Sequence, residues 1–449
     1  MTESKLLAQC RRAVDLALEA GADEAEVCAG FGGGSSVSFE NNDIQIAMSD
    51  EEVTFGLRVI ADSKQGFAAT NDPETLAESA RDALAIAKSS VVDEHLGLAE
   101  PVEVTPIQGL YDDAIAGLSV SEVTGLGVHL LDAVRSHDPR PSVDSGSVTG
   151  ARSVRAIASS TGINLSESTS YLGGSLFGMA VDGDEVGSFV SEGRYSRSRA
   201  DFEAALTEAG TTFSKKAIGA LHPGKGVSFK GQVLFSPEAV ASLLVSNLVT
   251  MVAAPSIRKG KSPLANKFAE KIASTSFQLY DDGTIPGAVG SSSFDREGMP
   301  HRRVEIIKDG IFSSSLFNHY EARAAKHAAS STGHASGGAN AIPGVSTSQL
   351  EVAAGEYDLE ALLRDTPRTV LVNRFSGSTN AVTGEFSGVV KSGYLIERGE
   401  RRPITETLIS GNLLDLYRNI TAITADRVKV HGLYMMPYIL ADGISVTAG

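Results

Sequence analysis

Residues 36–49 read SVSFENNDIQIAMS, and residues 51–71 read EEVTFGLRVIADSKQGFAATN. Apolar and polar residues alternate along both stretches, which is the pattern of strands with one buried face. Asn41-Asn42 and Asp62-Ser63 interrupt the alternation with residues that favour tight turns. The two stretches therefore predict strands with turns at these residues, and the three glycines at 32–34 indicate another turn before them.

Helical patterns flank these strands, because apolar residues recur there at a spacing of three and four. The predicted helices cover residues 4–20, 73–89, 121–136 and 200–217. Between the last two lies a second strand-rich block, in which LFGMAVDGDEVGSFVSEG (176–193) partly repeats residues 54–71. We interpret the repeat as two related hairpins, with chance similarity of hairpin sequences as the alternative.

The proline and glycine cluster LHPGKG (221–226) marks the predicted domain boundary. We predict an N-terminal α+β domain over residues 1–220, with helices packed on a mixed or antiparallel sheet, and a mainly antiparallel β domain with a few helices over residues 221–449. The N-terminal domain is interpreted as two related parts, residues 1–105 and 121–220. The fold class is therefore α+β.

Composition limits the classes of function. The 449 residues are 42% hydrophobic, yet no stretch is long and apolar enough for a membrane helix, and the N-terminus resembles an amphipathic helix, so we expect a cytoplasmic protein. A net charge of −16 argues against nonspecific binding to nucleic acid or to anionic membranes. Cys10 and Cys28 lie in apolar patterns and are expected to be buried thiols.

Familiar catalytic motifs are missing from the sequence. No GxSxG nucleophile elbow occurs, and GALHPGKG (219–226) lacks the Ser or Thr that completes a phosphate-binding loop. HExxH and HExxxH are also absent, although NHYEARAAKHAASSTGH (318–334) concentrates three histidines. A solvated helix face followed by a turn is the simpler interpretation, and a metal site remains the alternative.

The segment SPEAVASLLVSNLVTMVAAP (236–255) predicts a helix with almost no reactive side chain. Ser236 is suited to cap it and Pro237 to its first turn. An apolar stripe along one face should pack in the core, and Asn247 would then need a hydrogen-bond partner. The stripe consists of Val240, Leu243, Leu244, Leu248 and Met251.

An ordered set of segments resembles one family, TldD/PmbA, once called modulators of DNA gyrase. The N-terminal segments are SVSFENNDIQIA and FGLRVIADSKQGFAATND. The C-terminal segments are SPEAVASLL (236–244), RKGKSPLANKF (258–268), IPGAVGSSSFDREG (285–298), EIIKDGI (305–311), NAVTGEFSGVVKSGYLIERGE (380–400) and TLISGNLLDLYRNI (407–420).

The resemblance implies one of two kinds of subunit that pair as a cytoplasmic heterodimer. The TldD kind carries HExxxH and a later cysteine, which hold a catalytic zinc ion, whereas the PmbA/TldE kind lacks these ligands. The family motif falls on Val245, Ser246 and Thr250, and the cysteine position falls near His431. None of the first three side chains can replace a histidine ligand or a glutamate base.

The resemblance therefore predicts a noncatalytic subunit without a metal, whose HExxxH partner holds zinc, in a complex that cleaves short or unfolded peptides. Two alternatives stay open: a self-sufficient hydrolase with an atypical histidine site, and a peptide-binding scaffold that forms homodimers. The residues expected to contact substrate or partner are Arg258, Lys259, Lys261, Thr383 and Glu385. The candidate ligands of the alternative metal site are His319, His327, His334 and His431.

Overall fold

The computed structural model describes residues 1–325, 330–405 and 407–448, and within these residues it confirms the α+β class. The helices are α1 (Glu3–Glu19), α2 (Leu76–Ser89), α3 (Asp113–Ala116), α4 (Val120–His137), α5 (Phe202–Gly219), α6 (Pro237–Ala239), α7 (Ser246–Val252), α8 (Ala254–Arg258), α9 (His319–Ala324), α10 (Leu359–Asp365) and α11 (Leu413–Arg418). A 3₁₀ turn, Pro73–Thr75, precedes α2, and a π-helical segment, Val240–Val245, joins α6 to α7.

The strands of the N-terminal part are β1 (Glu24–Glu40), β2 (Asp43–Ala61), β3 (Lys64–Thr70), β4 (Pro141–Ser159), β5 (Asn164–Asp182), β6 (Glu185–Val186) and β7 (Val190–Ser196). The strands of the C-terminal part are β8 (Phe229–Phe235), β9 (Leu279–Asp282), β10 (Arg303–Lys308), β11 (Ile311–Phe312), β12 (Ala335–Ser336), β13 (Gly344–Val345), β14 (Leu350–Val352), β15 (Arg368–Val372), β16 (Arg374–Thr379), β17 (Glu385–Lys391), β18 (Tyr394–Glu397), β19 (Glu400–Pro403), β20 (Thr407–Asn412), β21 (Ile420–Val430) and β22 (Tyr434–Ala448).

β1 to β7 form one antiparallel sheet in the order β3-β2-β1-β4-β5, with β6 and β7 both paired to β5. The turns predicted at Asn41-Asn42 and Asp62-Ser63 are confirmed. Asn41 and Asn42 have φ angles of 53° and 64°, and Asp62 and Ser63 have 52° and 56°. Two successive residues of positive φ are the geometry of the tight turn that suits the twist of paired strands.

The turn predicted at the three glycines, 32–34, is wrong, because β1 runs straight through them. At Gly34 the lack of a Cβ permits a close approach between strands instead. A Cβ on Gly34 would lie 2.5 Å from the carbonyl oxygen of Gly150 on β4. Glycine in a strand interior commonly marks such an approach of another backbone.

The longer helices of the N-terminal part all pack on one face of this sheet. Val27, Ala29 and Phe31 of β1 lie in the core formed with α1 and α2, whereas Val37 and Phe39 lie in the core formed with α4 and α5. These residues are two apart in sequence, so they share one face of the strand. Glu26 lies on the opposite face of β1, where its carboxylate accepts a hydrogen bond from Arg296 of the C-terminal part.

The C-terminal part is built on a mixed sheet of 13 strands within the described residues. Most of its neighbouring strands are antiparallel, but β14 pairs with β22 and β15 pairs with β8 in parallel. The largest core of the protein lies against this sheet and includes the helical segment that begins at Pro237. In the described residues, no helix has the combined length and apolar character needed to cross a membrane.

Candidate functional site

The helical segment that follows β8 begins as the sequence predicts. The Ser236 hydroxyl accepts a hydrogen bond from the backbone N–H of Ala239, and Pro237 occupies the first turn. The predicted apolar stripe is confirmed, since all five of its side chains lie in the largest core. Asn247 is half-buried and donates to the carbonyl of Leu243 at 2.7 Å.

The sequence did not predict the π-helical segment Val240–Val245. Here the N–H of Ser246 bonds to the carbonyl of Ala241, five residues earlier, instead of four. Such segments occur often at functional sites. The hydroxyl of Tyr417, buried on α11, donates to the carbonyl of Leu244 at 2.8 Å and joins this segment to the core.

The three positions on which the family resemblance places HExxxH differ in their surroundings. Val245 is fully buried in the core, whereas Ser246 and Thr250 are exposed. The Ser246 hydroxyl donates to the carbonyl of Ser242, and the Thr250 hydroxyl donates to the carbonyl of Ser246 at 3.0 Å. Each hydroxyl therefore bonds back to its own helix.

These residues do not fit a zinc ion. Val245 offers no donor atom, and neutral hydroxyls are poor ligands and poor bases. Among the described residues, no group of three or more His, Cys, Asp or Glu side chains has an arrangement able to hold a metal ion.

The candidate histidines have separate surroundings, and His327 lies outside the described residues. His319 begins α9, and its backbone N–H donates to Glu297. His334 is buried, and its Nε2 lies 3.0 Å from Oδ2 of Asp281. His431 is exposed in the turn between β21 and β22, where its ring meets the edge of Tyr195.

Arg258 and Lys259 line a cavity of about 430 Å³ between the two parts of the chain, which we call the Arg258 cavity. Arg258 donates twice to Glu321, each time at 2.8 Å, and its guanidinium lies over the ring of Tyr320. Lys261 is exposed nearby and does not line this cavity. The residues that line the cavity are Arg58, Gln65, Asp93, Leu96, Pro255, Arg258, Lys259, Asn318, Tyr320, Glu321, Ile342, Pro343 and Gly344.

Thr383 and Glu385 are exposed at the turn between β16 and β17. The Thr383 hydroxyl donates to the Glu385 carboxylate at 3.1 Å. Neither residue lines the Arg258 cavity, so the five predicted contact residues do not form a single site.

A second cavity, of about 560 Å³, lies beside the first turn of the Pro237 helix, and we call it the Arg374 cavity. Residues of β7, α5, β16 and the β21–β22 turn line it, and His431 is one of these residues. Its residues are 189–195, Glu208, Thr212, Lys216, 236–238, Asn373, Arg374, Ser392, Tyr394, 427–432 and Tyr438.

A buried group of charges joins the two parts of the chain, and nothing in the sequence patterns predicted it. Arg58 of β2 lies 2.7 Å from Glu26 and 3.2 Å from Glu297, and Arg296 lies 3.0 Å from Glu26. All four side chains are at most 4% exposed. Burial alone would raise the pKa of Glu26, but Arg58 and Arg296 together hold that pKa below its usual value.

Asp295 immediately precedes Arg296 in sequence and is buried. Its carboxylate accepts the backbone N–H groups of Glu297, Met299 and Ala335, which favour the charged form. Burial and the nearby charge of Glu297 outweigh these bonds and raise the pKa of Asp295 to about 7. The FDREG segment, residues 294–298, therefore lies at the contact between the two parts of the chain.

Family models match most of the chain. The model described as PmbA/TldA metallopeptidase domain 1 matches residues 25–87, the central-domain model matches residues 113–221, and the C-terminal-domain model matches residues 228–448. The curated Metalloprotease PmbA of Escherichia coli O157:H7 is 27% identical over 426 residues, which cover 92% of this chain and 91% of that protein. The Metalloprotease PmbA homolog of Haemophilus influenzae is 29% identical over 448 residues, covering 97% and 94%.

Two solved structures have the same fold. TldE from Thermococcus kodakarensis superposes with a TM-score of 0.88 at 22% identity and covers 98% of this chain and 100% of that chain. A protein described as a putative modulator of a DNA gyrase from Thermotoga maritima superposes with a TM-score of 0.87 at 23% identity, covering 98% and 99%. With the three family models in chain order, these matches show that the chain belongs to the PmbA/TldD metallopeptidase family.

Proposed function

We propose that this chain is the noncatalytic, PmbA/TldE-type subunit of a heterodimeric zinc metallopeptidase. Its partner is a TldD-like subunit that carries HExxxH and holds the zinc ion, and the pair cleaves short or unfolded peptides. The proposal places the pair in the cytoplasm, where the two buried free thiols would stay reduced.

The observation that carries the proposal is the state of the three motif positions. Val245 packs in the core, and the hydroxyls of Ser246 and Thr250 are bonded to carbonyls of their own helix. A metallopeptidase needs a bound metal ion to activate water or the peptide carbonyl, and a base positioned beside it. The side chains at these positions supply neither, so the proposal assigns that chemistry to another subunit.

The test is coexpression of this chain with a homologue that carries HExxxH. Each protein is purified alone and as the pair, its zinc content is measured by mass spectrometry, and each preparation is incubated with an unfolded peptide. We expect copurification, zinc in the partner, and cleavage by the pair. A partner with its HExxxH glutamate changed to glutamine should bind this chain normally and leave the peptide intact.

Other results would favour the two alternatives. If this chain alone bound stoichiometric zinc and cleaved the peptide, with activity lost on chelation and restored by zinc, it would be a self-sufficient hydrolase. If it formed homodimers that bound peptide but never associated with the HExxxH protein, it would be a scaffold. Either result would contradict the proposed subunit role.

A further inference from the structure

Arg374 is the first residue of β16, and its side chain lines the Arg374 cavity. Its guanidinium carbon lies 5.7 Å from the centre of the Phe177 ring. Phe177 is itself stacked on Phe189, with ring centres 4.9 Å apart and planes inclined by 4°. The stacked rings therefore support the guanidinium, as aromatic faces commonly support arginine.

Among the described residues, most of the hydrogen-bonding capacity of Arg374 is unused. Its buried Nε has no acceptor there, and its Nη2 reaches the carbonyl of Phe189 only at 3.5 Å. In residues 1–325, 330–405 and 407–448, no carboxylate lies within 4.0 Å of it. A buried donor that lacks a partner is costly, so the arrangement favours a ligand that supplies acceptors.

Other cations of the cavity are already paired. Arg194 forms ion pairs with Glu192 and Glu208, and Lys216 lies 2.7 Å from Glu192. Because two cations face two carboxylates, these four residues contribute no net charge to the cavity.

The remaining charged residues give the cavity a positive excess. Arg427 is paired with Glu351, and Glu238 accepts a hydrogen bond from a serine. Lys429 is exposed and, like Arg374, has no carboxylate within 4.0 Å among the described residues. Arg374 and Lys429, both without a carboxylate partner, therefore exceed the single remaining carboxylate, Glu238, by one charge. In a protein of net charge −16, this local positive charge favours the binding of an anion in the cavity.

We infer that Arg374 binds the C-terminal carboxylate of a peptide ligand, an inference that rests on the proposed peptide-cleaving function. The planar guanidinium can donate two parallel hydrogen bonds to a carboxylate. A free C-terminus is present on peptides of every sequence, so this contact requires no particular side chain. The cavity volume of about 560 Å³ is sufficient for a short peptide segment.

The cavity also offers an edge for the peptide backbone. β7 pairs only with β5 among the described strands, and residues 189–195, at and before this edge strand, line the cavity. An extended peptide can add to such an edge through backbone hydrogen bonds. Arg374 would then fix the end of the chain and set its register.

The test is a fluorescence titration of the purified full-length protein with dansylated tetra-alanine and with its C-terminal amide. We expect the free acid to bind at least tenfold more tightly than the amide. Arg374→Gln should reduce binding of the acid to the level of the amide, and Arg374→Lys should retain part of the preference. Arg12→Gln, which removes an exposed charge on α1, is the matched control and should change neither affinity.

A third peptide distinguishes binding of the C-terminal carboxylate from binding of an acidic side chain. An amidated tetrapeptide with glutamate at its second position should bind like the amide, and tight binding that depends on Arg374 would indicate a site for acidic side chains instead. Equal affinity for acid and amide in the wild-type protein, or no binding of either, would overturn the inference. So would an unchanged preference in a folded Arg374→Gln variant.

Digestion by the coexpressed pair keeps the two proposals distinct. Cleavage of both peptides with equal KM would leave the proposed function intact and contradict the role of Arg374. A preference for the acid that is lost in Arg374→Gln, in a pair without peptidase activity, would support the binding site and contradict the proposed function.

Discussion

The hydroxyl of Tyr417 donates a hydrogen bond to the carbonyl of Leu244 at 2.8 Å, inside the largest core. The two residues are 173 positions apart. The bond connects α11 to the π-helical segment at Leu244, the residue before Val245, on which the family resemblance places the first position of HExxxH. The geometry of that segment is therefore held by a distant residue as well as by its own helix.

Tyr417→Phe should destabilise the protein by about 1 kcal/mol, because the ring still packs while the Leu244 carbonyl loses a buried donor. The free energy of unfolding in urea measures this loss. Tyr357→Phe is the matched control, since Tyr357 is 48% exposed and its loss should change stability by less than about 0.5 kcal/mol. Equal effects of the two substitutions would contradict the importance of the Tyr417 bond.

Introducing the HExxxH residues at positions 245, 246 and 250, where the family resemblance places that motif, should change the stability of the protein to different extents. Val245→His introduces a larger, polar ring into a filled core and should cost about 1–3 kcal/mol in unfolding free energy. Ser246→Glu and Thr250→His lie on the exposed face and should each change stability by less than about 0.5 kcal/mol. A fully stable Val245→His protein would show that position 245 is not held in the core as described.

Gly34→Ala should destabilise the N-terminal sheet, because its Cβ would lie 2.5 Å from the Gly150 carbonyl oxygen and 2.9 Å from the Cα of Ala151. We expect a loss of about 1–3 kcal/mol, measured by thermal or urea unfolding. Gly32→Ala is the control in the same strand, since a Cβ there would have no described atom within 4 Å. If both substitutions were tolerated alike, β1 and β4 would not approach as closely as described.

Arg58→Met should be strongly destabilising, because it leaves the buried carboxylates of Glu26 and Glu297 without their shared cation. Breaking a buried ion group in this way costs about 3–5 kcal/mol. Arg368→Met removes an exposed ion pair with Glu397 and should cost less than about 1 kcal/mol. Urea unfolding of the two variants gives the comparison, and similar losses would refute a special role for the buried group.

Lowering the pH should decrease the free energy of unfolding through the protonation of His301. Burial, with a smaller effect of His334, lowers the pKa of His301 to about 4 from an ordinary value of 6.5. Below pH 6.5 the unfolded chain therefore takes up a proton that the folded protein does not, and stability falls between pH 6.5 and 4 by up to roughly 3 kcal/mol.

The variant His301→Gln removes this titration and should flatten the fall. Asp295 acts in the opposite sense, because its pKa is raised to about 7, so its contribution to stability decreases as the pH rises from about 4 to 7. The difference between wild type and His301→Gln isolates the histidine. An identical pH dependence of unfolding in both proteins would show that His301 titrates normally.

Local sequence determined the hairpins and the start of the Pro237 helix. Asn41-Asn42 and Asp62-Ser63 adopt left-handed backbone conformations that their own side chains favour, and Ser236 caps the helix by bonding to a backbone N–H three residues away. These effects act between near neighbours in the chain, so they can be read without knowing the fold. The sequence alone also shows that Val245, Ser246 and Thr250 cannot supply histidine ligands or a glutamate base.

Only the tertiary structure decided how distant segments meet. The glycines at 32–34 have the local character of a turn, but they pair inside a strand with β4, more than 100 residues later in the chain, and Gly34 leaves room for the Gly150 backbone there. Arg58 joins Glu297 over 239 positions, and the Arg374 cavity draws residues from both halves of the chain. Such contacts depend on the simultaneous packing of both sheets and on the exclusion of water between them, and neither is encoded in any single stretch of residues.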